Sequence, residues 1–171
     1  VLRNVSTYQL DVGVIYAPID SSVVATSLTF EKLYTDTFVL TVPPQHPLTR
    51  RKSISLEEVA KLPLIHYPPL SHVRRYFDRI FAQSGLKPKI VMELENEEAM
   101  ERMIAADMGV AFLSKHRVQN GKLHAIRIRD CQLACDVGLV FPPTNYLPRA
   151  TREFAEMCRA AANKSRLTRS E

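Results

Sequence analysis

Residues 96–113, NEEAMERMIAADMGVAFL, predict a helix that leads directly into a buried strand. Asn96 is a favoured N-cap residue, and the two glutamates after it lie in the first turn, where the helix dipole favours negative charge. Gly109 predicts the end of the helix, and residues 110–113 are too short and too apolar for anything except a buried strand. The side chains expected to face the core at helical spacing are Met100, Met103 and Ile104. The segment is typical of an α/β fold.

The flanking segments continue this alternation of strands and helices. Predicted strands, rich in β-branched and apolar residues, are residues 11–16, 28–33, 37–42, 64–67, 89–94, 123–128 and 137–141. Helices are predicted after the capping box of Ser55 and Glu58, over residues 71–84 before Gly85, and from Pro148 onward. The residues expected to pack the last helix are Phe154, Met157, Cys158 and Ala161. This order predicts an α/β class with largely parallel sheets.

The composition is that of a globular protein that remains in the cytoplasm. Of 171 residues, 46% are hydrophobic and 24% are charged, which is enough for one or two cores. No apolar run approaches the roughly 18 residues that span a bilayer, and no basic-then-apolar leader opens the chain. An odd number of cysteines argues against a secreted disulfide framework; they are Cys131, Cys135 and Cys158.

The net charge of +5 would suit a nucleic acid, but the basic residues are dispersed. They occur in a predicted turn at residues 50–52, along the helix at residues 71–84, and in the tail at residues 164–169. Such a distribution is typical of solvated surface rather than of one DNA-binding patch.

Motifs that would indicate an enzyme are missing from the sequence. It contains no GxGxxG, GxxxxGK[ST], HExxH or GxSxG. The five histidines lack metal-ligand spacing, and the adjacent glutamate pairs fall at predicted helix starts, where the helix dipole already explains them. We therefore predict no catalytic residues, no metal site and no cofactor.

Several segments resemble the effector-binding domain of LysR-type transcriptional regulators in order and spacing. They are residues 10–14 (LDVGV), 39–43 (VLTVP), 46–48 (HPL), 54–58 (ISLEE), 62–65 (LPLI), 77–81 (FDRIF), 85–88 (GLKP), 103–113 (MIAADMGVAFL) and 147–150 (LPRA). The resemblance extends from residue 1 to about residue 162. It implies a type 2 periplasmic-binding-protein-like α/β fold, in which two subdomains are joined by two crossover strands and a ligand cleft lies between them.

The resemblance also implies a domain organisation and partners. Subdomain I would comprise residues 1–43 plus 137–171, and subdomain II residues 44–136, with crossings near residues 42–44 and 136–138. Family members carry an N-terminal winged helix-turn-helix, and their sensor begins with a strand, a helix and a second strand that this sequence does not contain. We therefore expect the sequence to start inside a larger fold, DNA to be bound outside it, and a homo-oligomer, dimer or tetramer, that has no membrane partner.

A candidate effector site follows from the general position of ligands in α/β sheets. They bind beyond the carboxyl ends of strands, beside the N-termini of helices. This selects Ala17, Pro18, His66, Tyr67, Ser71, His72, Asn96, Leu113 and Ser114. Amides at two helix starts, together with hydroxyl and imidazole donors, suit a small carboxylate. The structural alternative stays open at this point: Ser71 and Asn96 are also explained as N-caps, and His66 as a strand-end residue.

Two other functions are compatible with a two-lobed α/β scaffold. One is a solute-binding protein of a transport system, which requires export and therefore a leader sequence. The other is an enzyme on the same scaffold, such as a dehydratase, which requires an acid, base or nucleophile set that the sequence does not supply. The sequence favours the sensor over both.

Overall fold

The computed structural model describes residues 1–17, 28–119, 122–144 and 146–167, so the predicted site residue Pro18 lies outside the described residues. The chain divides into two compact units. Unit 1 comprises Val1–Asp36 and Cys135–Glu171, and unit 2 comprises Thr37–Ala134. The subdomain boundaries inferred from the resemblance, at residues 43–44 and 136–137, stay a prediction.

Strands and helices alternate along most of the described chain. The strands are β1 (Gly13–Ala17), β2 (Thr29–Val42), β3 (Ser53–Ile54), β4 (Leu64–His66), β5 (Ile90–Glu93), β6 (Ala111–Ser114), β7 (His124–Ile128) and β8 (Ala134–Phe141). The helices are α1 (Leu2–Ser6), α2 (Leu56–Ala60), α3 (His72–Gln83), α4 (Glu97–Ala105), α5 (Lys115–Gln119) and α6 (Arg149–Leu167), with a 3-10 helix at Pro47–Arg50. Among the helices described, none has the length and apolarity needed to cross a membrane.

Unit 1 is built around the antiparallel pair of β1 and β8, in which Gly13 lies opposite Val140. Its first core cluster comprises Leu2, Val5, Ile15 and Val140. A second comprises Leu139, Phe141 and Ala155. Since β8 contributes to both clusters, its two faces are covered, which explains why nearly all its residues are apolar.

The packing face of α6 differs from the predicted one. Phe154 and Met157 were expected to pack, but they are 43% and 70% exposed, and Ala161 is exposed as well. The residues that α6 buries or half-buries are Thr151, Ala155, Cys158 and Ala162. The prediction is therefore wrong except at Cys158. These small side chains allow the helix to lie close to Leu139 and Phe141, whereas size alone favoured the bulky residues.

The strand directions in unit 2 also differ from the prediction of largely parallel sheets. β2 is antiparallel to both β6 and β7, while β3 pairs in parallel with β7 and β4 with β5. A parallel neighbour requires a crossover connection of a dozen or more residues. β2 enters unit 2 directly from unit 1, and no crossover connection within unit 2 precedes it. Its direction is therefore not set by the alternation of strands and helices that follows, and it pairs antiparallel with β6 and β7.

β2 is one continuous strand, although the sequence predicted a break between residues 33 and 37. Polar side chains in and beside this interval find partners in unit 1, on β1 for Asp36 and on β8 for Thr35 and Lys32. Thr35 donates a hydrogen bond to Asp136 at 2.7 Å, and the Lys32 ammonium lies 2.7 Å from the same carboxylate. Polar residues therefore continue the strand because their side chains are paired in unit 1.

Candidate functional site

The carboxyl ends of β4 and β6 place four of the predicted site residues at one edge of unit 2. The two strands are parallel neighbours, since Leu64 bridges Val110 and the amide of Ile65 donates to the carbonyl of Val110 at 2.8 Å. β4 ends at His66, followed by Tyr67, and β6 ends with Leu113 and Ser114. Ala17 lies at the end of β1 in unit 1.

Ser71 and Asn96 both act as N-caps, which confirms the structural interpretation of their role. The Ser71 hydroxyl oxygen accepts from the amide of Arg74 at 3.4 Å. Asn96 Oδ1 accepts from the amides of Glu98 and Ala99 at 2.8 and 3.2 Å. Their donor groups, a hydroxyl hydrogen and a side-chain amide, are not used by the caps and are the part that a ligand acceptor would engage.

His66 is buried at the end of β4, with 2% of its surface exposed. Its Nδ1 accepts from the amide of Tyr67 at 2.9 Å, so the proton is assigned to Nε2. Among the described residues, Nε2 has no hydrogen-bond partner, and Asp78 Oδ1 lies 4.0 Å away. Burial, together with the positive charge of Arg74, lowers the pKa of His66 to about 3. The imidazole is therefore neutral at physiological pH.

Arg74 on α3 holds this edge together, although it was not among the residues predicted for the site. Its guanidinium donates to the carbonyl of Tyr67 at 2.8 Å, to Glu93 at 2.9 Å and to Asp78 at 2.8 Å. It is 9% exposed, although the basic residues along this helix were expected to form solvated surface. The spacing of Arg74 and Asp78, four residues apart, was the available signal. Two carboxylates neutralise this cation, so it positions the edge rather than attracting an anion.

The remaining predicted residues divide into buried and accessible ones. Tyr67 is buried, and its hydroxyl donates to Glu97 at 2.7 Å. Leu113 and Ser114 are buried within β6. Ser71 and His72 at the start of α3 are half-buried, with His72 Nδ1 3.4 Å from the Arg75 guanidinium. The start of α3 is therefore the part of the predicted site where hydroxyl and imidazole groups reach solvent.

Unit 2 also contains a groove of about 730 Å³, which the sequence did not predict. Its lining residues are Thr37, Phe38, Val39, Lys52, Lys115, Ala125, Arg127, Ile128, Arg129, Asp130, Cys131, Gln132 and Leu133. None of the predicted site residues lines it, although Lys115 directly follows Ser114. Its volume is within the range of small-molecule pockets.

The residues that the structure describes give little support for metal binding or for thiol chemistry. Among them, no group of three His, Cys, Asp or Glu side chains is placed to hold a metal ion. The three cysteines are free thiols. Burial, and then the charge of Asp130, raise the pKa of the Cys131 thiol, so at neutral pH it reacts with electrophiles only slowly, through its minor thiolate form.

Comparison with known proteins identifies relatives over most of the chain. The family model for the LysR substrate binding domain matches residues 1–163. A probable RuBisCO transcriptional regulator of Cyanophora paradoxa is 28% identical over 160 residues, which are 90% of this chain and 49% of that protein. The chain spans about half the length of the curated relatives it matches.

Two solved structures show the same fold. The effector binding domain of QuiR in complex with shikimate has a TM-score of 0.79 at 20% identity, covering 95% of this chain and 76% of that one. The Synechocystis PCC6803 CcmR regulatory domain in complex with 2-PG has a TM-score of 0.80 at 19% identity, covering 94% of this chain and 77% of that one. They confirm the two-subdomain periplasmic-binding-protein-like α/β fold.

Proposed function

Because this chain belongs to the LysR substrate binding domain family, and so is the effector-binding domain of a LysR-type regulator, we propose that its effector is a small organic acid. The proposal extends to the whole regulator. The bound acid alters a DNA-binding part outside this chain, within a cytoplasmic homo-oligomer, a dimer or tetramer. The relatives are transcription regulators, so we propose binding without turnover.

The start of α3 is the observation that carries this proposal. Ser71 and His72 begin the helix that follows β4, after a four-residue connection, and both are half-buried, so part of each side chain is accessible to a ligand. The first amides of a helix have no partner within the helix, and the helix dipole favours an anion there. A carboxylate complements this set of donors. Shikimate, the ligand of the QuiR domain, is a carboxylate of this kind.

A matched pair of ligands tests the charge requirement. We expect acids from a metabolite panel that includes shikimate and 2-PG to raise the Tm of the chain and to bind in calorimetry, because binding to the folded state alone stabilises it. For each active acid whose only charge is one carboxylate, such as shikimate, the neutral methyl ester should bind at least about tenfold more weakly, since a hydrogen bond to a charged group contributes roughly 1.5 to 3 kcal/mol.

Two results would contradict the proposal. Equal affinity for an acid and its ester would show that charge is not recognised. Conversion of an acid into a product during the same incubation, followed by mass spectrometry, would assign an enzymatic activity instead.

A further inference from the structure

The groove on unit 2 exists because β2 and β7 separate. Their pairing ends where Leu40 lies opposite Ile126. Beyond this point the amide of Phe38 donates to the carbonyl of Leu133 at 2.8 Å instead. The segment that follows β7, residues 129–133, therefore occupies part of the gap between the strands, and the remaining space is the groove.

The floor of the groove is apolar. Phe38, Val39, Ile128 and Leu133 line it and are all buried, with exposed fractions between 3% and 9%. Phe38 is further held by an edge-on contact with Phe77, their ring centroids 5.2 Å apart. A buried apolar floor of this kind suits the ring or chain of a small molecule.

The rim of the groove is cationic. Lys52, Lys115 and Arg127 are exposed, and in the described part of the chain no carboxylate lies within ion-pair distance of any of them. Arg129, the fourth cation, lies 3.1 Å from Glu58. Like-charged side chains that converge on one groove without partners repel one another, and an anion relieves that repulsion.

The one carboxylate among the lining residues does not neutralise the rim. Both oxygens of Asp130 accept from the amide of Leu56 at the start of α2, at 3.0 and 3.1 Å. The negative charge is thus engaged by the backbone, and the three unpaired cations remain available.

We propose that this groove is a second anion-binding site, which accepts a small molecule with an apolar ring or chain and a carboxylate, sulfonate or phosphate group. The apolar body lies on the floor of Phe38 and Leu133, and the anionic group contacts Lys115 and Arg127. This site is separate from the start of α3 and does not depend on the proposal made for it.

A fluorescent probe of this chemistry tests the proposal on the complete chain. Anilinonaphthalene sulfonate combines an apolar ring system with one sulfonate, and phenylnaphthylamine is the same ring system without it. We expect the sulfonate to bind the wild-type chain and the double variant K115Q/R127Q to bind it at least about tenfold more weakly. Affinity for the neutral probe should change by less than about twofold, because only its apolar contacts remain.

A second double variant serves as the matched control. R79Q/K87Q also removes one arginine charge and one lysine charge, but from exposed positions that do not line the groove. Its affinity for the sulfonate should stay within about twofold of the wild type. An equal loss in both double variants would mean that net charge alone governs binding, and it would overturn the proposal. So would unchanged affinity in K115Q/R127Q.

Cys131 reports on occupancy of the groove without any substitution. It lines the groove and is partly exposed, whereas Cys158 is partly exposed on α6 in unit 1 and serves as the internal reference. Saturating sulfonate should slow the alkylation of Cys131 by N-ethylmaleimide at least about threefold relative to Cys158, because a bound ligand blocks access to the thiol. Equal slowing at both cysteines, or none, would overturn the proposal.

The proposals for the two sites can be refuted independently of each other. Loss of sulfonate binding in H72A, with retention in K115Q/R127Q, would assign the anion to the start of α3 and overturn the groove. A metabolite panel without active acids would count against the effector proposal while leaving the probe measurements unaffected.

Discussion

The buried imidazole of His66 couples the stability of the fold to pH. Its pKa is about 3 in the folded chain, against an ordinary value of 6.5. Between these values the unfolded chain takes up a proton that the folded chain does not. The contribution of His66 is therefore fully present above pH 6.5 and is lost as the pH falls toward 3.

Urea unfolding at different pH values measures this coupling. The wild-type chain should lose about 2 kcal/mol of unfolding free energy between about pH 7 and pH 5, because each pKa unit corresponds to 1.36 kcal/mol. In H66N this loss should largely disappear, while H124N, which changes an exposed histidine, should retain it. Half-buried carboxylates such as Glu58, whose pKa is lowered to about 2, affect stability only at more acidic pH. An unchanged pH dependence in H66N would refute the assignment.

At the scale of a single element, variants at the start of α3 distinguish a capping role from a ligand-binding role. Ser71→Ala removes the cap and should cost roughly 0.5 to 2 kcal/mol of stability. His72→Ala leaves the cap in place and should weaken binding of an active acid by about tenfold, with a smaller effect on stability. Ser55→Ala is the matched control, because it removes the capping box of α2 without touching the proposed site.

Calorimetry and thermal unfolding of the three variants provide the comparison. Unchanged affinity in His72→Ala together with a lowered Tm would show that His72 is structural. A loss of affinity in Ser55→Ala equal to that in His72→Ala would show that reduced stability, rather than a lost contact, weakens binding.

Sequence predictions of helices and strands are accurate where the feature depends on residues close together in the chain. The N-caps Ser55, Ser71 and Asn96 and the stop at Gly85, with its φ of 66°, are confirmed. In each of these, a residue interacts with backbone less than a turn away, or adopts a conformation that favours glycine. The buried face of α6 depends instead on the strand it packs against, and there the prediction is wrong.

For the whole molecule, the dispersed positive charge predicts weak DNA binding by this chain alone. Many of its cations are paired with carboxylates; the pairs include Arg51–Glu58, Lys61–Glu57, Arg102–Glu98, Arg117–Glu101, Arg149–Glu153 and Arg159–Glu31. A paired cation has less to gain from a phosphate, and the net charge of +5 is spread over the surface, so the attraction to DNA is weak and independent of sequence.

Fluorescence anisotropy with two DNA duplexes of equal length and different sequence measures this. Both should bind with a Kd no tighter than roughly the micromolar range, equally well, and progressively more weakly as salt rises. Selective binding of one duplex at physiological salt would contradict dispersed surface charge and would assign a DNA-reading element to this chain.

The order of elements, the helix starts and the family resemblance were determined by the sequence by itself. These properties reside in residues close together in the chain, such as Asn96 with the amides of Glu98 and Ala99. The same local information predicted a ligand site at the start of α3 after β4, which stays a prediction. It did not identify what surrounds that place.

Only the tertiary structure decided the environment of the individual side chains. Arg74 is buried because Tyr67, Asp78 and Glu93, from three different segments, meet at its guanidinium. The groove opens because Phe38 pairs with Leu133, a residue far away in the chain. Burial and charge at a point depend on every segment that converges there, whereas caps and periodicity depend on neighbours in the chain, and only the latter can be recognised in a sequence.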